Sequence, residues 1–373
     1  MLDDDIQKHT RMNALIISLK FNPGHFSHLT ANYRLFSEIG FIPYLYVHPG
    51  FRSMDQNNEY RYKTPGAGLK DLTTIDAAVF WFPSLRNIYE VIRMRFLRGA
   101  KVIYIYHEPF DSVRNYYDSG FRLKKILKIC LIHFVNIPVI MLSHHIVLPS
   151  RKAAALYRDR YAVLNSSYSM IPLLFDDEAG GTLLPVYKTS FSYIGTIAAD
   201  HAFDRFTGFV AHAIENRLLP GVEFLVATRN TIPGPEKKVF LSLLASGRLT
   251  ILEGRPLMND EINQCYSRSF LVWNAYNRSM QSGVLPKAYM FGAAVICRRG
   301  NTNEFFTENR TGISVEDTGN FEEIAKAAGI IWEEKESYLR QSRETFLDTY
   351  YYKNHSRRFL DLLQRKHEKK EQS

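Results

Sequence analysis

The chain has 373 residues, a formal net charge of +9 and a hydrophobic content of 46%. This length favours two domains, because a single core rarely grows beyond roughly 250–300 residues, and the apolar content excludes a disordered chain. Three scattered cysteines, at positions 130, 265 and 297, suit neither a disulfide framework nor a zinc cluster, which favours a reducing cytosol. Because no run of about 18 uncharged apolar residues occurs and the first eleven residues are polar and acidic, we expect neither a spanning helix nor a signal peptide.

The first half of the chain alternates apolar strands with helices. Buried strands are predicted at 13–19, 41–47, 75–82, 101–106 and 145–148, and a polar loop at 48–70. Helices are predicted after the first strand, at 85–97, at 120–137 and from Ser150 onward, with Pro138 ending the third of them. This alternation without hairpin signals predicts a doubly wound parallel sheet.

The pattern breaks over 171–189, where prolines, a Gly-Gly pair and an acidic cluster indicate a linker. Strands then return at 191–194, 222–227, 249–252, 270–273 and 293–297, with helices at 203–216, 236–245 and 259–266. A short helix within 300–307, a turn at Gly312 and further helices are expected after them. The predicted units are therefore 1–172, a linker at 173–189, a second domain at 190–348, and a C-terminal helix with a charged tail at 349–373.

A polar turn after the strand at 270–273 is the candidate ligand-binding element. Its residues are Ser279, Gln281, Ser282 and Gly283, followed by Val284 and Pro286 at the start of a helix that Gly292 ends. Ligands of open α/β sheets bind beyond the carboxyl ends of the strands, and the first amides of a helix attract phosphate oxygens. The same residues equally suit a tight strand–helix turn, in which glycine provides backbone freedom and serine caps the helix.

Five stretches of the second half carry a resemblance to a known family. They are FSYIGT, LTILEGRPLMNDEINQCYSRSFLVWNAY, QSGVLPKAYMFGAAVI, RRGNTNEFF and TGISVED. Their order and spacing resemble the GT-B-fold glycosyltransferases of the retaining group called family 4, with a QSG variant of its donor-binding helix. NPGHFSH and HHIVLPSRKAAALY in the first half resemble the family more loosely. The resemblance implies two Rossmann-like domains facing across a cleft, with the first binding an acceptor and the second a nucleotide-sugar.

The resemblance also implies which residues contact the donor. Gln281, Ser282, Gly283 and Val284 would approach the diphosphate through backbone amides, and Glu304 would act on the donor sugar or nucleotide as a catalytic residue. The remaining expected donor contacts are Gly195, Thr196, Arg205, Arg229, Tyr276, Ser279 and Asn303. Amides and a basic side chain can neutralise a leaving diphosphate, so no metal or other cofactor is expected.

Two departures from the family pattern leave nucleotide identity and catalysis open. Many members carry two glutamates eight residues apart, where this chain has Ser279 and Lys287. Many also carry Arg and Lys soon after the glycine that corresponds to Gly195, and Arg205 or Arg229 is the candidate replacement.

Histidines are the candidates on the first domain. His107 follows the strand at 101–106 and is a candidate catalytic residue that orients a hydroxyl; a loop-capping histidine is the alternative. Gly24, His25 and His28 lie in the first strand–helix loop and are candidates for acceptor binding, although Gly24 and Pro23 alone explain that turn.

Positive charge concentrates between residues 93 and 128, where nine basic residues oppose three acidic ones. The segment 121–142 is basic at its start and apolar after it, which predicts contact with an anionic membrane surface; a buried helix of the α/β layer is the alternative. The basic residues concerned are Arg122, Lys124, Lys125 and Lys128. No nucleic-acid-binding motif is recognised.

The sequence therefore predicts a cytoplasmic, peripherally membrane-associated glycosyltransferase. It would transfer a sugar from a nucleoside-diphosphate donor to a glycan or lipid-linked glycan in bacterial surface polysaccharide synthesis, with retention implied by the resemblance. The alternatives are a nucleotide-sugar epimerase on the same fold, which needs no acceptor, and a non-catalytic binding partner, which binds the donor without turnover.

Overall fold

The structure is a computed structural model that describes residues 12–55, 57–65, 69, 71–72, 74–81, 83–180, 188–278, 283–301 and 304–364. Within these residues the chain forms two parallel α/β units, so the predicted fold class is confirmed. The strands of the first sheet end at Met170 and those of the second begin at Ser190.

The first sheet has the described strand order β3-β2-β1-β4-β5-β6-β7, with every pair parallel. Its strands are β1 Met12–Ser18, β2 Phe41–Val47, β3 Tyr62–Lys63, β4 Ala77–Trp81, β5 Lys101–Ile105, β6 His145–Leu148 and β7 Tyr168–Met170. Ile16 in the central strand pairs with Leu45 on one side and Val79 on the other, and all three are fully buried. Burial on both faces explains the uninterrupted apolar runs of the sequence.

Helices cover both faces of this sheet. They are α1 Phe26–Glu38, α2 Leu85–Ile92, α3 Val113–Asp118, α4 Leu123–Leu142 and α5 Arg151–Arg160. Side chains of α2, α4 and α5 share one core with the sheet, and α1 contributes to the core on the opposite face. Helix α2 continues as a π-helical turn, Arg93–Leu97.

The prediction that Pro138 ends its helix is wrong, because α4 continues to Leu142. Proline removes one backbone donor, but Val139 and Ile140 beyond it are buried against the sheet. The hydroxyl of Ser143 also donates to the carbonyl of Val139 at 2.7 Å, which satisfies one acceptor of the last turn. Tertiary packing therefore holds the final turn in place despite the proline.

The second sheet has the described order β10-β9-β8-β11-β12-β13, again with every pair parallel. Its strands are β8 Ser190–Ile194, β9 Glu223–Ala227, β10 Leu249–Leu252, β11 Ser269–Asn274, β12 Ala294–Arg298 and β13 Gly312–Val315. The helices are α6 Phe203–Glu215, α7 Gly234–Leu243, α8 Asn259–Arg268, α9 Val284–Met290, α10 Phe321–Glu333 and α11 Lys335–Thr349.

Two predictions near the end of this sheet are wrong. Gly312 begins strand β13 rather than a turn, since a Cβ there would lie only 2.0 Å from the carbonyl oxygen of Val295 on the neighbouring strand. The described residues between 300 and 307 form turns rather than a short helix.

The acidic cluster of the linker is fixed by three basic residues from three helices. Asp176 pairs with Arg34 of α1, and Asp177 pairs with Arg343 of α11. The third carboxylate, Glu178, accepts from Lys287 of α9 at 2.7 Å. These pairs anchor the linker to both domains at once.

The chain returns to the first domain directly beside this linker. The amide of Phe175 donates to the carbonyl of Tyr350 at 2.9 Å, and the amide of Tyr352 donates to the carbonyl of Phe175 at 3.0 Å. The last helix, α12 Ser356–Gln364, then packs on α1, with Phe359 and Phe36 ring centroids 6.2 Å apart. The segments around Phe175 and Tyr351, where the chain passes between the domains, are therefore hydrogen-bonded to each other. Helix α12 belongs to the first domain.

Candidate active site

A cleft of about 400 Å³ lies between the carboxyl-terminal edges of the two sheets. Both domains and the linker residue Phe175 line it. Ten of the residues predicted from the sequence lie in its wall: Gly24, His25, His28, His107, Gly195, Thr196, Arg229, Tyr276, Gly283 and Val284. The predicted residues Ser279, Gln281, Ser282 and Asn303 lie outside the described part of the chain.

The loop after β8 forms one part of the second domain's wall. Gly195 has a φ of +139°, and a Cβ there would lie 3.6 Å from Cγ2 of Val284, so glycine suits both the backbone and the space. The carbonyl of Thr196 accepts from the Tyr193 hydroxyl at 2.9 Å and from Nδ1 of His201 at 2.6 Å. These bonds fix a stretch of polar backbone at the end of the strand.

His201 is a cleft residue that the sequence reasoning missed. Its ring stacks on Tyr276 with centroids 4.2 Å apart and planes 10° apart. Both rings line the cleft. The signal that could have located His201 is its position in the loop after β8, where ligand-contacting residues collect in open sheets.

The predicted glycine turn also faces the cleft. Gly283 directly precedes α9, whose seven residues begin with Val284. A Cβ on Gly283 would lie 3.7 Å from Nε2 of His28, which belongs to the other domain. The turn before α9 and the first helix of the first domain therefore face each other across the cleft.

His28 presents a neutral imidazole to this turn. Its Nδ1–H donates to the carbonyl of Leu174 at 3.1 Å, and its ring stacks on Trp81 with centroids 5.1 Å apart. Burial lowers the pKa of His28 to about 3. With Nδ1 donating, Nε2 is the unprotonated nitrogen, so it can accept a hydrogen bond from a ligand hydroxyl.

Asn22 links His25 to Arg229 across the mouth of the cleft. The Asn22 amide contacts Nε2 of His25 at 2.9 Å and accepts from Nη1 of Arg229 at 3.3 Å. Burial, with the neighbouring His28 and His107 as further causes, lowers the pKa of His25. Arg229 thus brings a cationic side chain to a wall whose histidines are neutral.

Arg278 joins the segment before the glycine turn to the first domain, and the sequence reasoning missed it. Its Nη1 donates to Glu108 at 2.6 Å, and its Nε donates to Asp111 at 3.4 Å. The guanidinium lies 4.6 Å from the ring centroid of Tyr116, and the residue is only 7% exposed. Glu108 lines the cleft beside His107, whose pKa burial also lowers. The sequence signal was an arginine next to the turn and acidic residues after β5, but their pairing depends on how the domains pack.

Lys287 lies in a buried polar network at the linker side of the cleft. Its Nζ donates to Glu178 at 2.7 Å and to the Asn263 side-chain oxygen at 2.7 Å. Asn259 and Asn263 also donate to Glu178, at 2.5 and 2.8 Å. Burial opposes the ionisation of Glu178, but Lys287 and the two amides outweigh it and lower its pKa to about 2. The positive charge of Lys287 is therefore paired with the carboxylate of Glu178 in the linker.

Comparison with known proteins agrees on the architecture. The protein HepE of Anabaena, solved with UDP, matches at a TM-score of 0.66 and 10% identity over 94% of this chain and 99% of that chain. A glycosyltransferase of Rickettsia africae matches at 0.67 and 10% identity over 95% and 98%, and sucrose-phosphate synthase of Thermosynechococcus elongatus at 0.65 and 12% identity over 94% and 98%. The chain has the GT-B fold. No protein-family model and no curated protein matches the sequence.

Two residues expected to serve a GT-B donor site do not line the cleft. Glu304 accepts from the backbone amide of Arg151 at 2.7 Å, so it contacts the start of α5 in the first domain. Arg205 lies beside Asp204, with Nε 3.5 Å from its carboxylate, and is about half exposed. Of the two basic residues considered for the donor, only Arg229 lines the GT-B cleft.

Metal ligation is not favoured for the linker carboxylates. Among the residues that the structure describes, no group of three or more His, Cys, Asp or Glu side chains is arranged to bind a metal ion. Asp176, Asp177 and Glu178 are each paired with a basic side chain instead. The acidic cluster at Asp3–Asp5 lies outside the described residues.

Proposed function

We propose that this protein is a glycosyltransferase that uses a nucleoside-diphosphate sugar. The observation that carries the proposal is that Gly283 of one domain faces His28 of the other. A Cβ added to Gly283 would lie 3.7 Å from Nε2 of His28, inside one cleft lined by two Rossmann-like domains. Support comes from GT-B structures of similar shape, among them HepE solved with UDP-glucose. A donor bound on one wall would meet an acceptor bound on the other.

The second domain's wall suits the leaving diphosphate. Cleavage of a sugar–diphosphate bond develops negative charge on the phosphate, and fixed amides and cations stabilise it best because they need no reorganisation. Gly195 and Gly283 let backbone approach closely, and Arg229 supplies a positive charge at the same cleft. We assign the nucleotide moiety to the pocket region between Tyr276 and Lys287.

The first domain's wall suits sugar hydroxyls. His25, His28 and His107 all have pKa values lowered by burial, so near neutral pH they are uncharged. A neutral imidazole nitrogen accepts a hydrogen bond from a hydroxyl, whereas an imidazolium cannot. We propose that His107 and His28 orient the acceptor hydroxyl or a hydroxyl of the donor sugar.

We further propose retention of the anomeric configuration, which rests on the resemblance of 190–330 to the family 4 group. The acceptor proposed is a glycan or lipid-linked glycan of bacterial surface polysaccharide synthesis, met at the cytoplasmic face of the membrane. Support for the membrane is the cluster of exposed basic residues at the start of α4: Arg122, Lys124, Lys125 and Lys128.

The Lys287–Glu178 pair favours one competing function, a binding partner without turnover. Lys287, whose charge is paired with Glu178, lies where the resembling family carries a carboxylate. A donor could therefore bind there without being activated. The two proposals predict different behaviour with the same ligand.

A two-step experiment distinguishes the transferase from the non-catalytic partner and the epimerase. Thermal shift with UDP, GDP, ADP and their sugars identifies a stabilising nucleotide, and incubation with that nucleotide-sugar then tests for release of the nucleoside diphosphate. Slow hydrolysis, or faster release when acceptors are added, supports the transferase. Binding without release supports the non-catalytic partner, interconversion of the donor sugar alone supports an epimerase, and the absence of any nucleotide shift contradicts the proposal.

A further inference from the structure

One surface of the first domain is unusually apolar. Its large hydrophobic side chains are each between 43% and 76% exposed and come from α2, its π-helical turn and α4. They are Leu85, Tyr89, Ile92, Phe96, Leu97, Leu123, Leu127, Leu131, Phe134 and Met141. We call this set the α2–α4 face. Single exposed hydrophobic residues are ordinary, but a group of ten on two helices marks an interaction site.

The two helices present these side chains together. Helix α2 packs beside α4, and Nη1 of Arg95 in the π-helical turn donates to the carbonyl of Leu142 at 2.5 Å. Within α4, Leu123, Leu127 and Leu131 recur at intervals of four, so they lie along one stripe of the helix. The π-helical turn exposes both Phe96 and Leu97 at the end of α2.

The opposite side of the same sheet is covered, which makes the contrast informative. There α12 packs on α1 through Phe359 and Phe36, both of which are buried. On the α2–α4 face, no described residue provides an equivalent cover.

The charges around the face indicate its partner. Residues 85–98 and 122–142 contain eight basic residues and one acidic residue, Glu90. Glu90 is buried, accepts from the hydroxyl of Tyr46 at 2.9 Å and pairs with Arg93 at 3.5 Å, so it offsets only one of the eight positive charges. Apolar side chains bordered by unopposed cations complement an anionic lipid surface.

Helix α4 does not have the packing of a spanning helix, although its 20 residues and a mean hydropathy of 1.9 over an 18-residue window would suffice by length and composition. Its inner side contributes Val139 and Ile140 to the core and also carries polar side chains bonded to the sheet. Asn136 donates to the Tyr104 hydroxyl at 2.9 Å, and His133 contacts the Tyr106 hydroxyl at 2.6 Å. One side of the helix therefore belongs to the domain, and only the other is available to lipid.

The face is connected to the cleft at the start of α4. Arg278, which binds the cleft residue Glu108, lies over the ring of Tyr116. Tyr116 packs on Phe121 with centroids 5.7 Å apart, and Phe121 directly precedes the basic start of α4. The basic end of the face and the cleft thus share one edge of the domain.

We propose that the α2–α4 face lies in the headgroup–acyl boundary of an anionic bilayer, with α4 parallel to the membrane and its basic end next to the cleft. The acceptor that reaches the cleft from that side is an amphiphile whose polar head extends from the membrane. The assignment of the acceptor rests on the proposed function, whereas the membrane contact does not.

Vesicle flotation of the full chain tests the contact. We expect the protein to float with vesicles of phosphatidylcholine and phosphatidylglycerol, and far less with phosphatidylcholine alone. Two variants divide the interaction: Lys124→Gln/Lys125→Gln/Lys128→Gln removes charge, and Leu127→Ser/Phe134→Ser removes apolar contact. The charge variant should bind the anionic vesicles roughly a hundredfold more weakly. The apolar variant should lose binding that resists high salt.

Leu241→Ser is the matched control, because Leu241 is 56% exposed on α7 of the other domain. It should float like the unaltered protein.

Equal flotation of all variants, or none by the unaltered protein, overturns the proposal. So does a lipid-free dimer that Leu127→Ser/Phe134→Ser dissociates, since a second copy would then cover the face. Nucleotide thermal shift on the same samples reports the donor site separately. An unaltered protein that shows the shift but does not float contradicts only the membrane contact, and one that floats without any shift contradicts only the transferase.

Discussion

The two walls of the cleft use different chemistry. The wall of the second domain combines two glycines, Gly195 and Gly283, with the cationic side chain of Arg229. The wall of the first domain contributes three histidines, His25, His28 and His107, whose pKa values desolvation lowers. Under the proposed function, the diphosphate anion binds beside Arg229 on one side and hydroxyls bind beside the histidines on the other. Variants of each wall should therefore affect different steps.

The largest effect on the free energy of unfolding is expected for variants of the Lys287–Glu178 pair, which lies where the two walls meet. Lys287→Glu places two carboxylates in one buried site, and we expect a loss of about 3 kcal/mol in the free energy of unfolding, since a buried charge without its partner is costly. The exchanged pair, Glu178→Lys with Lys287→Glu, should recover much of this loss. Urea denaturation measures both; a single variant as stable as the unaltered protein would contradict the ion pair.

Gly283 tests the wall of the second domain. Gly283→Leu fills the space opposite His28 and should weaken binding of the nucleoside diphosphate by about 1–3 kcal/mol, or roughly 5- to 150-fold in Kd. Gly283→Ala is the control, because its φ of −64° suits alanine and its Cβ would make only ordinary contacts. Calorimetric titration distinguishes them. Unchanged affinity in the leucine variant would remove the turn from the donor site.

His28 tests the wall of the first domain. His28→Phe keeps a ring beside Trp81 and Phe175 but removes the acceptor nitrogen, so kcat/KM should fall about tenfold, the cost of about one hydrogen bond. Affinity for the nucleoside diphosphate should not change. If the affinity falls instead of the turnover, the histidine belongs to the donor site and the two walls are not separate in function.

Acid pH should destabilise the fold through the same histidine. The pKa of His28 is about 3 in the folded protein and 6.5 for an unperturbed histidine of the unfolded chain. As the pH falls, the unfolded chain therefore takes up the proton first. Stability is therefore complete above pH 6.5 and declines as pH falls from 6.5 towards 3, by roughly 0.8 kcal/mol at pH 6 from this group. The His28→Phe variant should show a shallower decline in Tm between pH 7 and pH 5. An identical slope would mean that His28 titrates normally.

Local patterns predicted the elements well where burial dictates them. Strands β2 and β6 begin and end at the residues predicted, because a buried parallel strand is a largely apolar run bounded by polar turns. The glycine turn was found because position 283 follows a strand and precedes a helix, which places it at the carboxyl edge of the sheet.

Contacts between the domains could not be predicted from such patterns. Arg278 and Glu108 are 170 residues apart in sequence, and Lys287 and Glu178 are 109 apart, so their pairing depends on how two folded units meet. The resemblance suggested a donor role for Glu304, yet its carboxylate reaches the amide of Arg151 in the other domain. A motif indicates the element on which a residue lies, but the partner of its side chain is fixed only by domain packing.

The position of α12 has a consequence for biosynthesis. Because α12 packs on α1 and Tyr350–Tyr352 flank Phe175, the first domain is discontinuous in sequence. During translation its sheet can form early, but the α1 side remains uncovered until α12 leaves the ribosome. Nascent chains stalled before residue 350 should therefore bind chaperones through that uncovered surface, and release should coincide with the emergence of α12 rather than with completion of either sheet.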